Sequence, residues 1–486
     1  MKKAFKRAAI FLSGILCTAF FCSCVTPGES SAGEKDPFQK YAENGKQFVF
    51  YSYGAPGTDG YTVTEEKVRL YAEAGFNKYM FLGKNAQTSK QTWTASHRDI
   101  TAQYAYQYGM NEIIIRDDTL TNYARGGATN KDDSWLYQQV TELLGYYLNE
   151  KRDNGDYVIA GVDIGDEPTM EHLSEYVRVY KTVKRVAKEQ YGREDIEIYV
   201  CLLPAYGGLS LYTADGSTAS ESERYALYRQ YIRSYLRETG AKEVAIDVYP
   251  FVGNRTKRFE YGYYASLQIL AEECKAVGAE FALVAQSYSA PDSSNFRLLN
   301  EAEMKLQMNS LIGFGAKEIG FYRYTALTQS KLPEAQFVLS DELTTTAIYD
   351  MAKAEMETAQ KFAGTVLSYD YNASAIYTTD AAYLNYVEGF DSDEFKKAEI
   401  EAGAGVTLVT ELYDSDNNLY LYMLQNVLDT VYTADRVSQT TVTASFAGYS
   451  QAAVICEGET EFVALEDGRY TVTLATGEAA YIIPIK

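Results

Sequence analysis

Eight short apolar runs, at residues 48–53, 79–83, 112–116, 158–164, 197–203, 243–249, 280–287 and 318–324, alternate with segments of helical spacing. The intervening segments, among them 65–75, 135–149, 173–190, 222–239, 264–278 and 301–315, set apolar side chains three and four residues apart, the signature of an amphipathic helix. Several close on a glycine, at Gly75, Gly240, Gly278 and Gly315, as helices do where the chain turns left-handed. Parallel strands need a crossover between them, so strand plus helix repeated eight times predicts a (β/α)8 barrel, an α/β fold of TIM-barrel type. A doubly wound open sheet is the alternative, but no glycine-rich phosphate loop follows the first run.

The pattern changes after the helical stretch 341–364. Short alternating strands follow at 407–412, 419–425, 440–446, 452–455, 469–474 and 479–483, separated by turn residues such as those at 414–417 and 466–468. They predict a C-terminal β-sandwich. The barrel domain is expected to span 38–365 and the sandwich 366–486.

Ahead of both lies a segment that is not part of the fold. Lys2, Lys3, Lys6 and Arg7 precede an apolar stretch from Ala8 to Phe21, too short for a stable membrane span and shaped like an export signal. Phe21, Cys22, Ser23 and Cys24 resemble the lipobox of bacterial lipoproteins, which implies a signal peptide over 1–23 and lipidation of Cys24. Residues 24–37, rich in Ser, Gly, Pro and Glu, read as a flexible tether. The expected location is extracytoplasmic, on a bacterial membrane through a lipid anchor only; an ordinary cleaved signal with release is the alternative.

A net charge of −21 disfavours nucleic acid and anionic lipid surfaces as partners and leaves neutral substrates as the best fit. The 44 tyrosines offer amphipathic rings suited to polar ligands such as sugars, although packing explains any one of them equally well. Beyond Cys24, the downstream cysteines Cys201, Cys274 and Cys456 are scattered, and His97 and His172 lie far apart. Neither a disulfide framework, nor a metal site, nor a histidine triad is expected, and no cofactor is implied. Acid–base work falls to carboxyl groups or tyrosines. The sequence carries no signal for the number of copies in an assembly.

The fourth run concentrates the candidates. Strand alternation puts Ile159, Gly161 and Asp163 on one face and Ala160, Val162 and Ile164 on the other; Gly165 loosens the backbone and Pro168 stops the ladder. Asp166 and Glu167 therefore fall where strand becomes loop, the end at which barrel enzymes keep their chemistry. The competing reading is that the acids, or Thr169, cap a helix beginning near Met170. Alternation also points Asp247 and Tyr249 of the sixth run, Gln286 and Tyr288 of the seventh, and Tyr322 and Tyr324 of the eighth toward the mouth, as substrate-binding candidates. Asp117 and Asp118, ending the third run, read better as loop caps. A rim of Asp, Glu, Tyr and Gln suits sugar hydroxyls and glycosidic bonds, where a carboxylic acid protonates the leaving oxygen.

Glu167 followed by Pro168 resembles the acid/base position of the clan A barrel glycosidases, whose motif is Asn-Glu-Pro. Asp166 stands at the Asn position, and Gln286 stands where that clan carries its nucleophilic glutamate. The run Gly165, Asp166, Glu167, Pro168 also resembles the Asp-Glu pair of hexosaminidases that use substrate assistance, such as glycoside hydrolase family 123. That resemblance implies that Asp166 polarises the 2-acetamido group of the substrate and Glu167 is the general acid/base, with Tyr249 a candidate carbonyl clamp and no enzyme nucleophile needed. The C-terminal strands are similar to the accessory sandwich of many glycoside hydrolases. The expectation is a retaining glycoside hydrolase; a glycosidase using Asp247 as nucleophile or base opposite Glu167, and a non-catalytic glycan-binding lipoprotein on a degenerate barrel, are the alternatives.

Overall fold

The computed structural model describes residues 37–56, 63–82, 95–149, 151, 158–217, 219–252, 262–289, 296–325, 336–339, 343–378, 388–428 and 439–486. Cys24 and all but the last residue of the expected tether lie outside them, as does the signal segment.

Eight strands form the expected barrel: β1 (Val49–Ser52), β2 (Lys78–Leu82), β3 (Glu112–Arg116), β4 (Gly161–Asp166), β5 (Glu197–Leu202), β6 (Glu243–Val248), β7 (Glu280–Gln286) and β8 (Glu318–Tyr322). All neighbours pair in parallel, in the order β1-β8-β7-β6-β5-β4-β3-β2. Between β1 and β2 the ladder is replaced by one residue. Asn77 donates its backbone N–H to the Phe50 carbonyl at 3.0 Å, accepts the Phe50 N–H on Oδ1 at 2.7 Å, and donates Nδ2 to the Phe48 carbonyl at 2.9 Å. An asparagine side chain mimics a peptide group, so it satisfies the seam's orphan donors and acceptors.

A closed ring must be filled by its own inward side chains. Here Tyr51, Met80, Ile114, Tyr199, Cys201, Ala245, Ala282 and Val284 form a buried cluster of their own. The hydroxyls of Tyr51 and Tyr199 meet across the axis at 2.8 Å. Two such rings fit only because facing positions are small: a Cβ at Gly320 would lie 2.6 Å from the Tyr51 ring.

Below the tyrosines the floor is charged. Lys78 is fully buried and its ammonium lies 2.7 Å from both Glu197 and Glu318. Glu243 completes the group, with carboxylate oxygens of the three glutamates all within 4.8 Å of one another. One ammonium cannot neutralise three carboxylates, and the surplus is relieved by a proton: burial and the neighbouring Glu197 push Glu243 up to about 7.

The C-terminal region is the expected sandwich. Strands β9 (Asp370–Thr378), β10 (Glu399–Ala402), β11 (Val406–Asp414), β12 (Leu419–Asn426), β13 (Gln439–Ser445), β14 (Gln451–Cys456), β15 (Glu459–Ala464), β16 (Arg469–Ala475) and β17 (Ala479–Ile485) form two antiparallel sheets, β15-β14-β17-β12-β11-β9 and β10-β13-β16. Val409, Tyr422, Val442, Phe446, Val454 and Ile482 fill the space between them. The sequence pattern omits β9, β10 and β15. All three lie at sheet edges, and β15 exposes nearly all its side chains, so it has no apolar alternation to read. A short helix, Pro37–Glu43, precedes the barrel and leans on the sandwich: the Tyr41 hydroxyl donates to Asp414 at 2.5 Å, and Phe38 meets Phe462 edge-on at 5.2 Å.

A raised carboxyl value in the fold means that the proton on Glu243 stabilises the protein fully below the ordinary glutamate value of 4.5 and that this contribution is lost as pH rises through about 7. Stability to urea should therefore fall between about pH 5 and 8, and Glu243→Gln should flatten that fall. Lys78→Met, which leaves buried carboxylates without their counter-charge, should cost about 3–5 kcal/mol in the same titration.

Candidate active site

The C-terminal mouth of the barrel holds a cavity of about 470 Å³. Asp166 and Glu167 enter it from β4, Asp247 and Tyr249 from β6, Tyr322 from β8 and Tyr53 from the end of β1, while Leu203, Tyr206 and Phe296 come from loops. Cys201 lies at its base.

How Asp166 comes to face inward is a matter of strand parity. In an unbroken strand Asp163 and Asp166 would point to opposite faces. The β4–β5 register instead pairs Asp163 with Tyr199, Gly165 with Val200 and Asp166 with Cys201, so Ile164 is an extra residue in a β-bulge. Asp163 and Asp166 thus both accompany the inward residues Tyr199 and Cys201. Gly165 makes the bulge possible: its φ is +152°, and any Cβ would lie 2.6 Å from the hydroxyl of the buried Tyr176.

The backbone beyond is pinned at each step. Arg125 and Tyr176 donate to the Asp166 carbonyl at 3.3 and 3.4 Å, the Glu167 N–H donates to the Cys201 carbonyl at 2.8 Å, Tyr231 donates to the Pro168 carbonyl at 2.7 Å, and the Met170 N–H donates to the Leu211 carbonyl at 2.7 Å. Glu167 has φ +48°. The other non-glycine residues with positive φ among those described, Asn418, Glu457 and Asp467, sit in turns between sandwich strands; only Glu167 carries this conformation into a cavity. The helix after β4 begins at Leu173, later than the expected Met170, and its N-cap position, His172, makes no side-chain cap bond. Thr169 bonds the His172 ring at 2.9 Å instead, so neither acid nor Thr169 serves as the cap.

Asp166 lies with one oxygen 4.0 Å from Arg116, whose same nitrogen is 3.7 Å from the fully buried Asp163. Burial raises the Asp166 carboxyl above its ordinary range, against the pull of Arg116 and Arg125. Asp247 is buried and its Oδ1 has no hydrogen-bond partner. Burial first, then the charges of Glu167 and Asp166, push its carboxyl well above the ordinary value.

The walls are aromatic. Tyr322 packs against Tyr249, Tyr53 and Tyr288 with ring centroids 5.9, 6.1 and 5.7 Å apart, and Phe296 meets Tyr249 edge-on at 5.6 Å. The Tyr249 N–H donates to the Tyr206 hydroxyl at 2.6 Å, which fixes that strand end.

Three expected substrate contacts, Gln286, Tyr288 and Tyr324, do not line the cavity. Gln286 is buried and uses its amide to brace a loop, accepting the Phe251 N–H at 2.9 Å and donating to the Phe251 carbonyl at 3.0 Å, a pairing that needs a donor and an acceptor and that a carboxylate cannot make. Tyr324 lies past the end of β8, where alternation no longer holds, and is fully buried against Tyr71, Phe76 and Phe337. Tyr288 stands beside the cavity lining through Tyr322. Asp117 is a cap, accepting from Thr119 and Leu120, as its position at a strand end implies. Arg116 and Tyr53 share the inward parity of Ile114 and Tyr51 in their runs, a signal that places them at the mouth, whereas Tyr206 and Phe296, in loops, carry no periodic signal.

No family model matches this chain, and no curated protein sequence matches it. Solved structures similar to it include a GH27 β-L-arabinopyranosidase from Geobacillus stearothermophilus, 10% identical, with 92% of this chain and 98% of that one covered at a TM-score of 0.49. A putative α-galactosidase/melibiase from Bacteroides fragilis is 11% identical, with 90% and 79% covered at a TM-score of 0.48. A glucosidase from Croceicoccus marinus is 11% identical, with 91% and 96% covered at 0.46.

Because glycine adopts positive φ without strain, Glu167→Gly should leave the fold intact and raise its stability by up to about 1 kcal/mol in thermal unfolding, although it strips a carboxyl from the cavity. A loss of that size would mean that the Glu167 side chain holds the loop.

Proposed function

We propose that this protein is a glycoside hydrolase in which Glu167 is the general acid/base and Asp166 orients and polarises a 2-acetamido group of the substrate. The observation that supports this most is the convergence of Asp166, Glu167 and Asp247 on one cavity walled by Tyr53, Tyr249, Phe296 and Tyr322. Aromatic faces pack on the apolar side of a pyranose, and carboxyl groups bind its hydroxyls and move protons to and from the glycosidic oxygen. In substrate-assisted cleavage the acetamido oxygen attacks the anomeric carbon as Glu167 protonates the departing oxygen; water, deprotonated by Glu167, then opens the ring so formed. Asp166, with Arg116 and Arg125 near it, supplies the charge that the acetamido N–H needs. Tyr249, held through its backbone to Tyr206, is suited to clamp the acetamido carbonyl. No protein nucleophile is required, consistent with Gln286 being committed to Phe251.

A second assignment is favoured by the sealed Oδ1 of Asp247. A carboxyl that keeps its proton is a donor rather than a nucleophile, so in this version Asp247 is the general acid and Glu167 the base that activates water. The lipid-anchored, extracytoplasmic location implied by residues 1–24 belongs to the same proposal, with a carbohydrate as the partner.

Chromogenic glycosides with and without a 2-acetamido group test it. Turnover confined to the acetamido sugars and blocked by a thiazoline analogue is expected; Glu167→Gln should lower kcat/KM by about 10²- to 10⁴-fold on such substrates, and Asp166→Asn should cripple the same reaction. Turnover indifferent to the acetamido group would instead favour the Asp247 assignment, in which Asp247→Asn is as damaging as Glu167→Gln. Binding of glycans without cleavage of any would leave a lectin-like barrel.

A further inference from the structure

We propose that Asp163 is a positioning residue for Asp166, its carboxylate latching the bulge that turns Asp166 into the cavity. Asp163 is fully buried one register step below the site, where a carboxylate has no packing value and a desolvation cost. Its Oδ1 accepts the N–H of Gly165 at 2.8 Å, the residue that resumes the pairing just after the extra Ile164. A bulge disrupts the strand ladder locally, and a side-chain acceptor two residues upstream takes up the Gly165 N–H. The second oxygen faces Arg116 at 3.7 Å, the guanidinium that also lies 4.0 Å from Asp166. One buried carboxylate therefore fixes the backbone that carries Asp166 and the cation beside it. Without the latch, β4 can revert to plain alternation, and Asp166 then points among the helices, on the side of Val162 and Ile164. No sequence motif marks the role: it needs an aspartate inside the barrel, an extra residue and a glycine in succession, as in Asp163, Ile164 and Gly165.

The inference rests on Asp166 acting as proposed above, and one experiment separates the two. Asp163→Ala and Asp163→Asn are compared for hydrogen exchange at the Gly165 amide and for kcat and KM on a 2-acetamido glycoside. The alanine variant should lose protection at Gly165 and at least about 100-fold in kcat with KM little changed, since a misplacement of even about 1 Å costs that much. The asparagine variant keeps an acceptor for the same N–H and should restore protection and most of kcat. Persistent Gly165 protection in Asp163→Ala, or an Asp163→Asn protein with an unprotected Gly165, overturns the latch; should the alanine variant fail to fold, the asparagine variant alone decides. Loss of Gly165 protection together with hydrolysis that Asp166→Asn leaves untouched would uphold the latch and remove Asp166 from the mechanism.

Discussion

The charged floor of the barrel is the constraint on which the rest of the molecule hangs. Lys78 sits without solvent between Glu197 and Glu318, with Glu243 alongside, and these residues begin strands on different arcs of the ring. Unpaired, any of these charges would oppose burial strongly; together they tie β2, β5, β6 and β8 at one level and so fix how the strands are staggered. The layer above follows from that stagger. Tyr51 and Tyr199 can span the axis only if Gly320, Ala245 and Ala282 face them, and an upper layer of carboxyl groups is then carried to the open end.

At the mouth, a single inserted residue decides the chemistry. Regular strands alternate, so consecutive acids at a strand end would face opposite ways. The bulge at Ile164 and the left-handed turn at Glu167 break that rule in succession, and both side chains reach one cavity. Hydrogen bonds to three successive carbonyl or amide groups, at Asp166, Glu167 and Pro168, hold the irregular segment in place. Irregular backbone is costly, and here it is found where two carboxyl groups must share one pocket with a third.

The barrel was legible because its strands are buried on both faces and punctuated by helix-ending glycines, signals that survive without any tertiary information. Asp166, Glu167, Asp247, Tyr249 and Tyr322 were legible for the same reason: each lies at or just past the end of a recognisable run. Gln286 obeys the same parity yet does other work, because alternation gives a direction and not a partner, and Phe251 claims it; Tyr324, past the end of β8, leaves the alternation and joins a knot of aromatic rings. The edge strands β10 and β15 escaped notice since strands with a solvated flank need no apolar alternation. The role of Asp163 is not legible in the sequence, for a bulge leaves no compositional mark beyond one glycine.

The short helix Pro37–Glu43 adds a matter of orientation. Asn44, just after it, donates to the carbonyl of Gly364 at 2.8 Å, and Lys46 to that of Leu367 at 3.0 Å, beside the starting ends of the strands. The chain thus joins the barrel from its closed base, opposite the opening. Attachment through residues upstream of Pro37, as proposed above, would hold the protein at the end of the barrel away from the cavity.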